Sequence, residues 1–147
     1  MRYQNNPGNI RYNPDIQGVI GNDNGFSEFD SLANGIRAIW VVLNTYRNSY
    51  GLKTIRQIIN RYAPGSENNT ALYISNVSSW TGISADKELS ISDYPVLIAA
   101  IIRQEIGRVF SINEIQSAIA GKSLSNPIWI VLVLVGIFAT WNLTQKN

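Results

Sequence analysis

The sequence predicts a mainly α (α+β) domain that carries a small β-hairpin near its start and is followed by one C-terminal transmembrane helix. Three observations point there. Apolar residues recur at three- and four-residue steps from Leu32 to Ile119, the spacing of one helix face. Asn, Gly and Pro crowd the first 25 residues, where they mark turns around short extended pieces. The longest unbroken apolar stretch covers 128–139.

Taken in order, the turn signals are Asn5-Asn6-Pro7-Gly8-Asn9, Asn13-Pro14 and Gly21-Asn22-Asp23-Asn24-Gly25. Between them, Ile10-Arg11-Tyr12 and Phe26-Ser27-Glu28-Phe29 are the extended pieces expected to form the hairpin. From Ser31 a first helix points Leu32, Ile36, Ile39, Trp40, Leu43 and Tyr46 inward and ends at Gly51. Thr54 caps a second, with Ile55, Ile58, Ile59 and Tyr62 inward, which Pro64 stops. Asn69 or Thr70 caps a third, with Leu72, Tyr73, Val77 and Trp80 inward and Gly82 closing it. Asp93 opens a fourth through Tyr94-Pro95, since proline suits a first helical turn; its stripe is Leu97, Ile98, Ile101 and Ile102. Ser111-Ile112-Asn113-Glu114 matches a capping box for a fifth helix, with Ile115 and Ile119 inward and Gly121 as stop.

The domain plan is a head over 1–121, a linker over 122–127 and an anchor over 128–143. The anchor is apolar around its whole circumference, with Trp129 and Trp141 near its ends and Lys122 and Lys146 outside them. Taken out to its polar flanks, 124–143, it reaches the ~20 residues that a bilayer requires. A C-terminal helix buried in the domain is the alternative. The first seven residues have no apolar run, so no secretory signal peptide is expected.

Composition narrows the chemistry. Twelve Lys and Arg against ten Asp and Glu give a formal charge of +2 with no concentrated basic stripe, so no nucleic-acid partner is expected. The chain has neither Cys nor His. That removes disulfides, thiolate nucleophiles, Ser-His-Asp and Cys-His constellations and the usual zinc ligand sets. No metal or other cofactor is expected, and proton transfer falls to Asp, Glu, Tyr or Lys.

Glu105 stands out among the acids. It follows Ile98 by seven residues and Ile101 by four, on the apolar face, in the last turn before Gly107. The negative end of the helix dipole and burial among isoleucines both disfavour its charge, so a raised pKa is expected. A glycosidase uses such a protonated acid on the leaving oxygen. Pairing with Arg11, Arg37, Arg61 or Arg108 is the plainer reading of the pattern alone. Glu28 and Asp30, in or beside the hairpin, read singly as exposed polar residues. Glu67 reads as a charge favoured by a helix N-terminus. Trp40, Tyr46 and Tyr62 read as core; Tyr73 and Trp80 could pack or line a groove.

Spaced blocks over 5–121 resemble phage virion-associated peptidoglycan-degrading proteins. They are Asn5-Asn6-Pro7-Gly8-Asn9-Ile10-Arg11, Gly25-Phe26, Phe29-Asp30-Ser31, Gly35-Ile36-Arg37-Ala38 and Tyr50-Gly51-Leu52. They continue with Thr54-Ile55, Ile58-Ile59-Asn60-Arg61-Tyr62-Ala63-Pro64, Ser66-Glu67-Asn68, Thr70, Tyr73-Ile74 and Val77. The block order also resembles lysozyme-like glucosaminidases and lytic transglycosylases, with Ile101-Ile102-Arg103-Gln104-Glu105-Ile106-Gly107 similar to their catalytic helix in a circularly permuted position.

The resemblance implies a lysozyme-like head that cleaves the β-1,4 bond between N-acetylmuramic acid and N-acetylglucosamine, with Glu105 as acid and then base. A transglycosylase needs no second carboxylate, whereas in a muramidase Glu28 or Asp30, then Glu67, would assist water. Asn6, Asn9, Arg11, Tyr12, Glu67 and Tyr73 are the implied substrate-binding residues. Elimination agrees, because phage enzymes that cut wall peptides generally use zinc with His, or Cys with His. The implied partners are peptidoglycan strands, a lipid membrane through the C-terminal helix, and capsid or other virion proteins. The implied location is the virion's internal membrane, for wall opening during genome entry. The competing expectation is a non-catalytic virion membrane protein whose head binds glycan or a capsid partner.

Overall fold

The structure is a computed structural model, and it describes residues 5–66 and 68–122. Along the chain these form β1 (Val19–Asp23), β2 (Phe26–Phe29), α1 (Leu32–Tyr50), α2 (Ile55–Tyr62), α3 (Thr70–Thr81), a 3-10 turn (Ile91–Asp93), α4 (Tyr94–Ile106) and α5 (Ile112–Ile119). The expected fold class is corrected. The described residues make a mixed α/β arrangement of five helices and a small hairpin, and no helix among them is long and apolar enough to cross a membrane. The segment expected to be an anchor, 128–143, lies outside the described residues, as does the expected linker beyond Lys122.

The hairpin has a different first strand from the one expected. Asn24 and Gly25 both take positive φ, 51° and 90°, as a tight two-residue hairpin turn demands. That turn pairs Asp23 with Phe26 and Asn22 with Ser27, so Val19–Asp23 becomes the antiparallel partner of β2. Ile10-Arg11-Tyr12 instead lies along β2 as an isolated bridge, Arg11 opposite Phe26. Its backbone bonds are Ser27 N to Ile10 O at 3.0 Å and Tyr12 N to Gly25 O at 2.9 Å.

Helix ends follow the caps read from the sequence, with one exchange. Ser31 accepts from the Asn34 amide, Thr54 and Ser111 form capping boxes with Gln57 and Glu114, and Asn69 accepts from the Leu72 amide. Asp93 does not cap α4. Its Oδ2 accepts from the Ser90 amide at 2.8 Å and so closes the 3-10 turn, while Pro95 sits in the first turn of α4.

Helix α4 is the central element, packed against α1, α3 and α5, with α2 against α3. Leu97, Ile98, Ile101 and Ile102 on it are fully buried, together with Ile36, Ile39 and Leu43 of α1, Ile55, Ile58 and Ile59 of α2, and Ile115 of α5. Each such side chain contributes about 1.5–3 kcal/mol by leaving water. On α3 the inward stripe is Thr70, Tyr73, Ile74 and Val77. Leu72, expected inward, is one residue off that stripe and 53% exposed.

Loop 5–10 is clamped between the hairpin and α1. Asn6 is buried, donating to Ile10 O at 3.0 Å and Ser27 O at 2.9 Å and accepting from the Ile10 amide at 2.8 Å. The carbonyl of Asn5 lies where a Cβ on Gly35 would sit, only 1.7 Å from it. Neither backbone can yield there, so Gly35→Ala is expected to lower the unfolding free energy by about 2–3 kcal/mol. A urea titration reads this as a lower midpoint with unchanged slope, and a wild-type midpoint would contradict the docking of the loop on α1.

Candidate active site

Three parts of the chain converge on one carboxylate. The last turn of α4 presents Glu105, which is half-buried rather than enclosed. Loop 5–10 brings up Asn9, whose Nδ2 donates to Glu105 Oε2 at 2.7 Å across 96 positions of sequence. From α3, the Tyr73 hydroxyl donates to Glu105 Oε1 at 2.8 Å. Both oxygens are thus held, and no arginine or lysine pairs with Glu105 among the described residues. Asn9 takes a left-handed φ of 49°, which asparagine tolerates better than most residues. Its Oδ1 is buried without a partner among the described residues.

A second layer fixes the loop. At the end of α2, Tyr62 donates its hydroxyl to Gly8 O at 2.5 Å. A side chain on Gly8 would meet Ile39 Cγ1 at 2.6 Å and the Tyr62 hydroxyl at 2.7 Å, so only glycine lets the backbone lie that close. Burial pushes the Tyr73 phenol far above its ordinary pKa, helped by Tyr62 and by the Glu105 carboxylate it serves. Burial, then the Glu105 charge and Tyr46, does the same for Tyr62. Both phenols stay protonated donors across the neutral range.

Glu105 and Asn9 open on a cleft of about 810 Å³, within the range of small-molecule sites. Arg11, Tyr12 and Phe26 form one wall, and Tyr46, Tyr50, Arg61 and Tyr62 another. Glu105 is the only carboxylate lining it among the described residues.

Of the residues expected at the site, Glu105, Asn9, Arg11 and Tyr12 line the cleft, and Tyr73 backs it. Glu28 is not among the lining residues; it is exposed on β2, with its carboxylate packed over Gly21. Asp30 is exposed and accepts from Ser31 Oγ at 3.0 Å and Asn34 Nδ2 at 2.8 Å, a helix-start role. Asn6 is spent on backbone and lies beneath the loop. Glu67 lies outside the described residues. Tyr46 and Tyr62, expected in the core, and Arg61, named only as a possible pair for Glu105, are wall residues. Their signal is positional: tyrosines at helix ends place an apolar body against the core and a hydroxyl toward water.

The two buried phenols set an alkaline limit on stability. Up to their ordinary value of 10.0, folded and unfolded chains hold the same phenolic protons. Above it the unfolded chain releases protons that the folded one keeps, so stability falls as pH rises, by up to about 2.7 kcal/mol per pH unit for the pair. Urea midpoints measured from about pH 9 to 11 are expected to show this decline, and exchanging Tyr62 and Tyr73 for Phe to remove most of it. An equal slope in the double variant would contradict the burial of these hydroxyls.

No family model matches the sequence. The chain is 39% identical over 109 residues to Protein P5 of Pseudoalteromonas phage PM2, a match covering 70% of this chain and 68% of that protein. The relative's name specifies a phage and no activity.

Proposed function

The chain belongs to the family of Protein P5 of Pseudoalteromonas phage PM2, a bacteriophage family, and we propose that it cleaves the β-1,4 glycan backbone of peptidoglycan as a lytic transglycosylase. It would act from the virion, opening the wall locally during genome entry. The observation that carries this reading is a single carboxylate, Glu105, with both oxygens positioned in a sugar-sized cleft that no other carboxylate lines among the described residues. Hydrolytic glycosidases need a second carboxyl group, about 5–9.5 Å from the first, as nucleophile or water-activating base. Among the described residues, neither Glu28 nor Asp30 lines the cleft.

One carboxyl group suffices if the sugar supplies its own nucleophile. Protonated Glu105 gives its proton to the glycosidic oxygen as the C1–O bond breaks, and the leaving strand departs with a free 4-hydroxyl. The resulting carboxylate then takes the proton of the muramyl 6-hydroxyl, whose oxygen bonds to C1. The product is a 1,6-anhydro sugar, and no water is consumed. The proton returns to Glu105, ready for the next bond. Asn9 and Tyr73 position the group throughout, and the Tyr73 hydroxyl can turn from donor to acceptor as Glu105 gains its proton.

Glu105→Gln keeps shape and removes the transferable proton. On purified peptidoglycan it is expected to slow fragment release by at least about 10²–10⁴-fold, the range for loss of a general acid–base group, with an unchanged circular dichroism spectrum. Mass spectrometry of wild-type products is expected to show anhydromuramyl ends. Reducing muramyl ends would replace transglycosylation with hydrolysis. Wall binding without release by the wild-type chain would leave a glycan-recognition protein instead.

A further inference from the structure

The cleft wall away from Glu105 carries a cation for which the bond-breaking step has no use. Arg61 sits in the last turn of α2, exposed, with its guanidinium 3.7 Å from the ring centroid of Tyr50 and 5.4 Å from that of Tyr46. The two tyrosines are one turn apart on α1, so two helices fix the plane of the fork. Stacking engages the faces of a guanidinium and leaves its in-plane N–H donors available. No carboxylate pairs with Arg61 among the described residues, where Glu88 and Asp86 are engaged by Lys53 and Arg56. Arg61, Tyr46, Tyr62 and Glu105 all line the same cleft.

A fixed, planar fork that no carboxylate pairs among the described residues is the geometric match of a carboxylate. The two sugars of a peptidoglycan strand differ in one substituent, the lactyl ether of the muramyl residue. Its carboxyl is free on a strand stripped of peptide; where a stem peptide is attached, the stem carries carboxylates of its own. We propose that Arg61 forms a carboxylate-binding subsite that makes the cleft selective for muramyl strands over neutral glycans. This inference rests on the glycan-cleaving reading of the same cleft.

The test uses the full chain with Glu105→Gln, to prevent turnover, titrated calorimetrically with three strands of equal length. These are peptide-stripped muramyl strands, uncrosslinked strands bearing stem peptides, and chitin oligomers with no carboxylate. The titrations are repeated with Arg61→Gln or Arg61→Lys added. Arg61→Gln is expected to weaken binding of a carboxylated strand by about 10- to 100-fold, the scale of one charged hydrogen-bonded contact, and to bring it down to the level of chitin. Arg61→Lys restores part of the preference, because it keeps the charge without the fork. The anionic strand that shows the Arg61-dependent preference identifies the lactyl or the stem carboxylate. Equal affinity for chitin and both anionic strands would overturn the subsite, as would a preference that survives Arg61→Gln. Fragment release by the chain with Glu105 intact is scored separately. A preference without release removes the enzyme and keeps the subsite; release without a preference removes the subsite alone.

Discussion

The carboxylate of Glu105 is the point at which loop 5–10, α3 and α4 are tied together, and the geometry of the cleft depends on its two hydrogen bonds. Asn9 and Tyr73 each give one donor to one oxygen. Bonds to a charged group are worth about 1.5–3 kcal/mol each, more than neutral ones. A half-buried carboxylate without them would be a liability, because partial desolvation penalises its charge. With them, the same group becomes a joint between segments far apart in sequence.

That joint is rigid because each element behind it is packed on its inner side. Helix α4 enters the site with Ile101 and Ile102 fully buried about one turn behind Glu105 and Ile98 about two turns behind it. Tyr73 is itself buried, on the stripe that seats α3 against α4. Loop 5–10 has no regular structure, yet the Asn6 amide, the Tyr62 hydroxyl and the close approach to Gly35 hold it from three sides. A loop anchored this way can present Asn9 in a left-handed conformation without needing to reorganise when a ligand arrives. Preorganisation of that kind is what positional catalysis requires.

The cleft is also polarised. One end has a carboxylate served by neutral donors, and another wall has an arginine stacked on neutral rings. The wall tyrosines Tyr46 and Tyr62 stay uncharged in the neutral range because burial holds their protons. The two opposite charges therefore face the cleft rather than each other. Such a layout suits a long neutral backbone that carries an acidic substituent at a regular interval.

Much of the local structure was legible in the chain. Ser31, Thr54, Asn69 and Ser111 start helices, and Gly51, Gly82 and Gly107 end them, because capping is decided within four or five residues. Glu105 could be singled out because helical spacing alone places it beside Ile98 and Ile101. Spacing alone points to Ile10-Arg11-Tyr12 as the first strand of the hairpin, but the positive-φ pair Asn24-Gly25 selects the register, and of the two stretches that lie beside β2 it is Val19–Asp23 that pairs as a strand. The partial burial of Glu105 is likewise set by its neighbours in space. Its helix dictates which face it shares but not how much of that face a neighbour covers.

The sequence by itself determined where helices begin and end, which acid sits on an apolar face, and that no His or Cys chemistry is open to the chain. Only the tertiary structure decided that Asn9 and Tyr73 would grip that acid, that Glu28 and Asp30 would not line its cleft, and that Arg61 would line it. Short-range rules are written in neighbouring residues. A site assembled from positions 9, 61, 73 and 105 is created by the packing of helices against one another, and no local spacing encodes it.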